Sequence, residues 1–140
     1  MSTAADVSDK FFGFYHAVFR QLDAAMTESG TSYSKFKILY LLETRGPSRL
    51  TEIADHFAFA PRSVTEAVDN LERDGLAARE PDPTDRRAKL VSITAEGKAA
   101  VDATKKVKAR VIQQIFGTLT APQREEFSAL LDTLSDATKK

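Results

Sequence analysis

The sequence contains no cysteine and no tryptophan, and only six glycines and five prolines among its 140 residues. Without cysteine the chain cannot form a disulfide, a thiolate metal site or a cysteine redox sensor. Its apolar runs are only a few residues long and its first ten residues are net acidic, which argues against a membrane-spanning helix and a secretory signal. We therefore expect a soluble, cytoplasmic protein with no membrane partner.

An excess of positive charge is also missing, because 20 Lys and Arg are balanced by 20 Asp and Glu. Any surface that attracts nucleic acid must therefore be local. No Ser-His-Asp arrangement, glycine-rich phosphate loop, paired carboxylates or metal-ligand cluster is readable, and His16 and His56 lie far apart in the sequence. We therefore expect no enzymatic activity, no cofactor and no metal.

What the sequence does contain is helical periodicity. It predicts a long amphipathic helix over residues 7–27 and a second helix, apolar almost all round, over residues 34–43. A short helix over 50–57 is followed, after a tight connection, by another that begins at Pro61, a residue that fits the first helical turn. Two helices this close together indicate a helix-turn-helix.

The following region predicts a β-hairpin, because residues 76–80 and 88–93 flank the charged stretch PDPTDRR. Thr94 is a suitable N-cap for a long helix to about Phe116. Thr120 has the capping-box spacing to Gln123 and begins a final helix with an apolar stripe.

This order of elements predicts a mainly α fold with a small β-hairpin wing. We expect one chain over residues 1–140, with a winged helix-turn-helix core at 34–94. The segments 7–29 and 95–138 flank that core as dimerisation helices.

The stretch from Leu50 to Gly97 resembles the MarR (multiple antibiotic resistance regulator) family of bacterial transcription factors. The most specific part is DPTDRRAKLVSITAEG at 82–97, together with VDNLERDGL at 68–76. The resemblance implies a homodimeric DNA-binding transcriptional regulator, most simply a repressor of a nearby operon that a small ligand releases from DNA.

The second helix of the helix-turn-helix is the expected recognition helix. With Val64, Val68 and Leu71 facing the core, polar side chains of reading length occupy the other side. Arg62 can contact guanine or phosphate, and Glu66 can accept from a cytosine amino group. The candidate DNA contacts are Arg62, Ser63, Thr65, Glu66 and Asn70. The alternative is an ordinary solvated helix face.

The expected wing presents Asp85, Arg86 and Arg87 from a turn, with Lys89 one step back on the strand. The family resemblance implies that Arg87 enters the minor groove, that Arg86 lies near the phosphate backbone, and that Asp85 holds an arginine of the wing by an ion pair. The alternative is a solvated charged turn.

Two features depart from the expected pattern. Residues 48–90 contain seven basic and nine acidic residues, and Ala60 stands where a Ser-like N-cap is usual. A winged-helix protein-interaction module without specific DNA affinity therefore stays open as an alternative. The basic residues between Lys98 and Arg110 form either a solvated helix face or a phosphate contact.

The apolar stripe of the last helix predicts a homodimer, because it has no partner inside the winged core. Its members are Phe127, Leu130, Leu131 and Leu134. A two-fold dimer presents two recognition helices to a roughly palindromic duplex DNA operator.

Aromatic residues are concentrated near the start of the chain, and one helix face cannot turn all of them into one core. The resemblance implies a cleft for a small effector such as a phenolic or aromatic acid. The candidate pocket residues are Phe11, Phe12, Tyr15, His16, Tyr33 and Tyr40. Core and interface packing is the alternative explanation.

Overall fold

The computed structural model describes residues 1–139 and confirms a mainly helical fold with one small antiparallel sheet. It divides into two compact units, Met1–Lys108 and Ala109–Lys140. The elements along the chain are α1 (Ala4–Glu28), α2 (Tyr33–Arg45), α3 (Leu50–Phe57), α4 (Pro61–Arg73), β1 (Ala77–Asp82), β2 (Asp85–Ile93), α5 (Ala95–Phe116) and α6 (Ala121–Ala137).

Local capping sets several helix boundaries. α1 begins three residues before the periodicity predicted, because Thr3 and Asp6 form a capping box in which each backbone N–H donates to the other's side chain. The predicted box of Thr120 and Gln123 is confirmed at the start of α6. Ala60 is the N-cap of α4, and its side chain cannot accept a hydrogen bond from the first N–H groups of this helix.

The core of the first unit is built around α2, whose Ile38 and Leu42 are buried. The predicted inward stripe of α4 is confirmed, since Val64, Val68 and Leu71 are buried in the same cluster. This packing leaves the opposite side of α4 on the surface.

α1 carries a stripe of apolar residues, and only the C-terminal half of this stripe is buried within the chain. Leu22 and Met26 are buried, whereas Phe11 and Tyr15 are exposed. The start of α1 therefore presents aromatic rings to solvent.

The hairpin is longer than the sequence predicted. β1 and β2 pair antiparallel from Ala77 opposite Ile93 to Asp82 opposite Asp85. The Asp82 carboxylate accepts from the backbone N–H of Thr84 at 2.9 Å and from its hydroxyl at 2.8 Å, which closes a tight turn at residues 83–84. The prediction that Asp85, Arg86 and Arg87 project from a turn is therefore wrong, because all three residues lie on β2.

Arg49, at the start of α3, holds the hairpin by its tip. Its Nε and Nη2 donate to one oxygen of Asp82 at 2.9 and 2.7 Å, and Asp82 is almost completely buried. The N–H and hydroxyl of Thr84, followed by the Arg49 guanidinium, lower the pKa of Asp82 to about 2. Ser48 pairs with Val91 beside this contact. The wing is thus attached at two points to the segment before α3.

α5 begins against the end of α4. The Thr94 hydroxyl donates to the carbonyl of Gly75 at 2.7 Å and accepts from the N–H of Gly97 at 3.0 Å, which confirms Thr94 as the N-cap. A side chain at Gly97 would overlap the carbonyl oxygen of Leu76 and the side chain of Ile93. Glycine is required here because the two backbones approach closely.

None of the helices formed by residues 1–139 combines the length and the apolarity needed to cross a bilayer.

The lowered pKa of Asp82 makes one contribution to stability dependent on pH. The ionised carboxylate stabilises the fold fully above its usual pKa of 3.8, and this contribution is lost as the pH falls through 3.8 towards 2. We expect Asp82→Asn to destabilise the protein near neutral pH and to flatten the loss of stability between pH 4 and pH 2. Urea unfolding across this range measures the effect.

The matched control is Asp132→Asn, because Asp132 is exposed on α6 and has no ion pair within residues 1–139. Parallel stability curves for the wild type and Asp82→Asn would contradict the role given to this carboxylate.

Candidate nucleic-acid interface

The exposed side of α4 carries a pair of opposite charges near its first turn. The side chains of Arg62 and Glu66 are 90% and 67% exposed, and Arg62 Nε lies 3.5 Å from Glu66 Oε1. Thr65 is exposed, but its hydroxyl donates to the carbonyl of Pro61 at 3.0 Å. Ser63 is exposed as well. These residues present a cation, a carboxylate and hydroxyl oxygens side by side, which are groups that base edges and phosphates can engage.

The C-terminal half of α4 is covered by one arginine of the wing. Arg79, on β1, donates from Nη2 to Asp69 at 2.7 Å and from Nη1 to Glu72 at 2.9 Å. The pKa of Arg79 is raised, chiefly by the hydrogen bond to Asp69. Asn70, which follows Asp69, is half-buried. This guanidinium offsets one of the two negative charges that it contacts.

The wing presents its own cations without partners. Arg86, Arg87 and Lys89 are exposed, and none of them forms an ion pair within the described part of the chain. Antiparallel pairing with β1 holds this segment of β2 extended. The wing therefore carries a local basic surface, the form of attraction that a chain of zero net charge can offer DNA.

The ion pair implied for Asp85 is not found among residues 1–139. Its carboxylate accepts the backbone N–H of Arg87 at 2.9 Å instead, because the tight turn directs Asp85 back onto its own strand. The ion pair at the hairpin tip joins Arg49 to Asp82. These partners are separated by 33 residues, so no local pattern could have identified them.

Ion pairs engage more of the acidic than of the basic side chains of the segment 48–90. Five of its nine acidic residues are in ion pairs, whereas four of its seven basic residues have none within residues 1–139. The paired acids are Glu52, Glu66, Asp69, Glu72 and Asp82, and the unpaired cations are Arg73, Arg86, Arg87 and Lys89. Four acidic residues of the segment also have no ion pair within residues 1–139, but on β2 the cations Arg86, Arg87 and Lys89 outnumber the single acidic residue, Asp85, so the surface of this strand is basic.

Two groups of aromatic rings include the residues predicted for a pocket. On α1, Phe11 contacts Phe12 and Tyr15 at centroid distances of 5.3 and 6.4 Å, and Tyr15 contacts His16 at 5.8 Å. These four side chains are exposed.

The second group is a row of rings along α2. Tyr33 lies 5.4 Å from Phe19 and 6.5 Å from Phe36, and Phe36 lies 6.0 Å from Tyr40. Burial, with a smaller effect of Tyr15, raises the pKa of Tyr33. We call Phe19, Tyr33, Phe36 and Tyr40 the ring row.

Lysine ammonium groups lie over the ring row. Lys37 Nζ is 5.4 Å from the centroid of Tyr33, and Lys105 Nζ is 5.1 Å from that of Tyr40. Lys108 Nζ is 5.9 Å from Tyr33 and 5.7 Å from Phe36. Two lysines of the basic stretch in α5 therefore contact aromatic faces, an arrangement that stabilises a partly desolvated cation.

Two small cavities were not anticipated from the sequence. One of about 200 Å³ lies between α2, α5 and the end of α1, and Phe36 and Thr104 are among its lining residues. The other, of about 210 Å³, lies behind the first turns of α4, where Ser34 and Ser63 line it. None of the six aromatic residues predicted for a pocket lines either cavity. Both cavities form between elements distant in sequence, so periodicity could not reveal them.

The final helix has an unburied apolar stripe. Leu130 and Leu134 are 54% and 57% exposed, Phe127 and Leu131 are half-buried, and no residue of α6 is buried. Among residues 1–139, no group of three or more His, Asp or Glu is placed to hold a metal ion.

The comparisons with known proteins agree with this architecture. The MarR family model matches residues 31–89. The HTH-type transcriptional regulator YkoM of Bacillus subtilis is 33% identical over 104 residues, which are 74% of this chain and 68% of YkoM. The HTH-type transcriptional repressor Rv2887 of Mycobacterium tuberculosis is 28% identical over 81% of this chain and 82% of its own length.

A solved structure of Bordetella bronchiseptica BpsR, whose DNA binding is regulated by 6-hydroxynicotinic acid, superposes with a TM-score of 0.75. It is 25% identical, and the match covers 96% of this chain and 94% of that one. The identity to YkoM, the matched family model and the shared fold establish that the chain belongs to the MarR family of winged helix-turn-helix transcriptional regulators.

Proposed function

We propose that this chain is a homodimeric repressor that binds a palindromic operator of a nearby operon and is released by a small aromatic ligand. The observation that carries the proposal is the cluster of cations on β2 that are unpaired within residues 1–139, next to a recognition helix whose acidic residues are held in ion pairs. In this proposal residues 34–94 form the DNA-binding core. The segments 7–29 and 95–138 provide the dimerisation helices.

α4 reads the major groove in this proposal. Arg62 donates to guanine or phosphate, and Glu66 accepts from the amino group of a neighbouring cytosine. Their ion pair positions a donor fork beside an acceptor before DNA arrives. Ser63, Thr65 and Asn70 supply phosphate or base contacts.

The wing reaches the adjacent minor groove. Arg87 enters the groove, and Arg86 and Lys89 contact the phosphate backbone. The bond from the Arg87 backbone N–H to Asp85 fixes the strand at the point where Arg87 leaves it.

Removal of the Arg87 side chain tests the wing contact. We expect Arg87→Ala to weaken binding to a selected operator duplex by about 1–3 kcal/mol, because a groove contact is lost. Folding should not change, since the side chain is exposed and unpaired within residues 1–139. Fluorescence anisotropy at two salt concentrations measures both the affinity and its salt dependence.

Lys139→Ala is the control, because it removes one exposed charge outside the DNA-binding core and outside both proposed dimerisation segments. An Arg87→Ala variant with wild-type affinity and a wild-type salt slope would remove Arg87 from the interface.

The proposed dimer follows from exposed apolar side chains. Leu130 and Leu134 on α6, and Phe12 on α1 with an exposed fraction of 57%, are in contact with water in the single chain. Burial of such side chains between two copies is favourable by roughly 25 cal/mol per Å². A two-fold dimer places two recognition helices about 34 Å apart, the spacing of successive major grooves on one side of DNA.

Charges introduced into the α6 stripe test the dimer. We expect Leu130→Asp combined with Leu134→Asp to give a monomer, with affinity for the full operator reduced towards that for a half-site, because the second half-site no longer binds intramolecularly. Sedimentation velocity gives the oligomeric state. Ala129→Asp is the control, since Ala129 is exposed on the opposite side of α6. A double variant that stays a dimer with full affinity would place the interface elsewhere.

The ring row is the proposed effector site. Aromatic faces bounded by the ammonium groups of Lys37, Lys105 and Lys108 suit a flat ring that carries a carboxylate or phenolate. BpsR, whose regulator is a hydroxylated aromatic acid, supports this class of ligand. The predicted pocket residues Tyr33 and Tyr40 belong to the row, and the rings on α1 complete the proposed set.

Competition by simple acids tests the effector class. We expect 4-hydroxybenzoate and 6-hydroxynicotinate to release the protein from DNA, and Lys108→Met to raise the concentration required, because the variant loses an ammonium group at the ring row. DNA-bound anisotropy during titration measures release. Cyclohexanecarboxylate is the control, since it carries the same charge without an aromatic ring. Equal release by cyclohexanecarboxylate would contradict an aromatic site.

The protein-interaction alternative loses its support. It rested on the net acidic composition of residues 48–90, and the structure pairs most of that negative charge with arginines. The family consists of transcriptional regulators, so the relatives offer no indication of an enzyme.

A further inference from the structure

Arg79 differs from the other arginines of the wing in where its side chain goes. It lies on β1 opposite Val91 of β2, and its side chain is only 18% exposed. Both terminal nitrogens are directed to α4, where Asp69 and Glu72 accept at 2.7 and 2.9 Å. Arg79 is therefore turned away from the solvent that the duplex would replace.

The two carboxylates hold the guanidinium from separate positions. Asp69 and Glu72 are three residues apart on α4, so they are neighbours on its surface. Each binds a different terminal nitrogen of Arg79. A planar, charged fork bound at two points permits much less rotation than a single ion pair, and a lysine ammonium cannot reproduce that geometry.

This contact joins the two elements that read DNA in the proposed function. On one side, Asp69 is three residues from Glu66, in the reading part of α4. On the other side, Arg79 is three residues from Asp82, where β1 enters the turn. A shift of β1 along α4 would move Arg87 relative to the recognition helix. Simultaneous contacts in both grooves require a fixed distance between Arg87 and the recognition helix.

We propose that Arg79 is a positioning residue for sequence discrimination, which fixes the wing relative to the recognition helix without contacting DNA. This inference rests on the proposed DNA-binding function. It states that Arg79 acts on the ratio of specific to non-specific binding, because only specific binding needs both grooves to be read in register.

If Arg79 acted only through its charge, a different result would be expected. One triple variant separates this charge effect from the positioning role. Arg79 with Asp69 and Glu72 carries a net charge of −1, whereas the triple variant Arg79→Gln, Asp69→Asn, Glu72→Gln carries none at these positions. The variant is thus more attractive to phosphate than the wild type, but it lacks the charged hydrogen bonds that join Arg79 to Asp69 and Glu72.

The experiment uses the full chain, a duplex that the wild type enriches from a random-sequence library, and a scrambled duplex of the same composition. We expect the triple variant to bind the scrambled duplex at least as well as the wild type does. Its ratio of specific to scrambled affinity should fall by about tenfold or more, the scale of one mismatched base pair. A wild-type ratio in the triple variant would overturn the inference.

Two further variants keep the result interpretable. Arg79→Lys retains the charge, and we expect it to lower the ratio with unchanged affinity for the scrambled duplex; a wild-type ratio would again overturn the inference. Arg79→Lys decides the matter if thermal unfolding shows that the triple variant does not fold. Arg45→Gln is the matched control, because Arg45 pairs with Glu52 at 3.8 Å and contacts neither α4 nor the wing in an ion pair.

Failure of this inference differs from failure of the proposed function. If the wild type enriches a duplex but the variants keep its ratio, only the role of Arg79 is lost. If the wild type enriches no duplex, the proposed function falls, and the inference falls with it.

Discussion

A chain with as many acidic as basic residues can attract a polyanion only where its own carboxylates are neutralised. In this protein that neutralisation is made by arginines that bridge elements distant in sequence. Arg49 joins α3 to the hairpin tip through Asp82, and Arg79 joins β1 to α4 through Asp69 and Glu72. The same contacts that cancel negative charge also fix the wing on the helix-turn-helix. The cations of β2 are left facing solvent.

The fold supports this arrangement with close backbone contacts. Ser48 and Val91 exchange backbone hydrogen bonds of 3.0 and 2.8 Å, so β2 is held by β1 on one side and by the segment before α3 on the other. At its far end the strand leads into Thr94, whose hydroxyl contacts Gly75 at the end of α4. The end of α4, the end of β2 and the start of α5 are therefore joined by hydrogen bonds at Thr94.

The sequence predicted what is decided locally. Helix caps at Thr94 and Thr120 depend on residues three positions apart, and the inward stripe of α4 depends on the helical repeat alone. The length of the hairpin was underestimated because the charged stretch suggested a loop, whereas the turn is closed by bonds from Asp82 to Thr84.

Contacts between residues that are far apart in the sequence could not be predicted. The resemblance implied an ion pair between Asp85 and an arginine of the wing, whereas the ion pair at the hairpin tip joins Asp82 to Arg49, 33 residues away. Of the ring row, only Tyr33 and Tyr40 were predicted from the sequence. The lysines that contact these rings come from both α2 and α5, and no local pattern reveals such a pairing. Helical periodicity predicts which face of one helix is apolar, but it carries no information on which charged side chain of another element will reach it.

The central claim is that a chain of zero net charge binds DNA specifically through the cations that its internal ion pairs leave free. Enrichment of duplexes from a random-sequence library by the full chain, with binding then measured over a range of salt, tests this claim most directly. The account predicts an enriched inverted repeat with half-sites about one helical turn apart, and a logarithm of the binding constant that falls linearly with the logarithm of salt concentration. Binding without an enriched sequence, or affinity indifferent to salt, would contradict it.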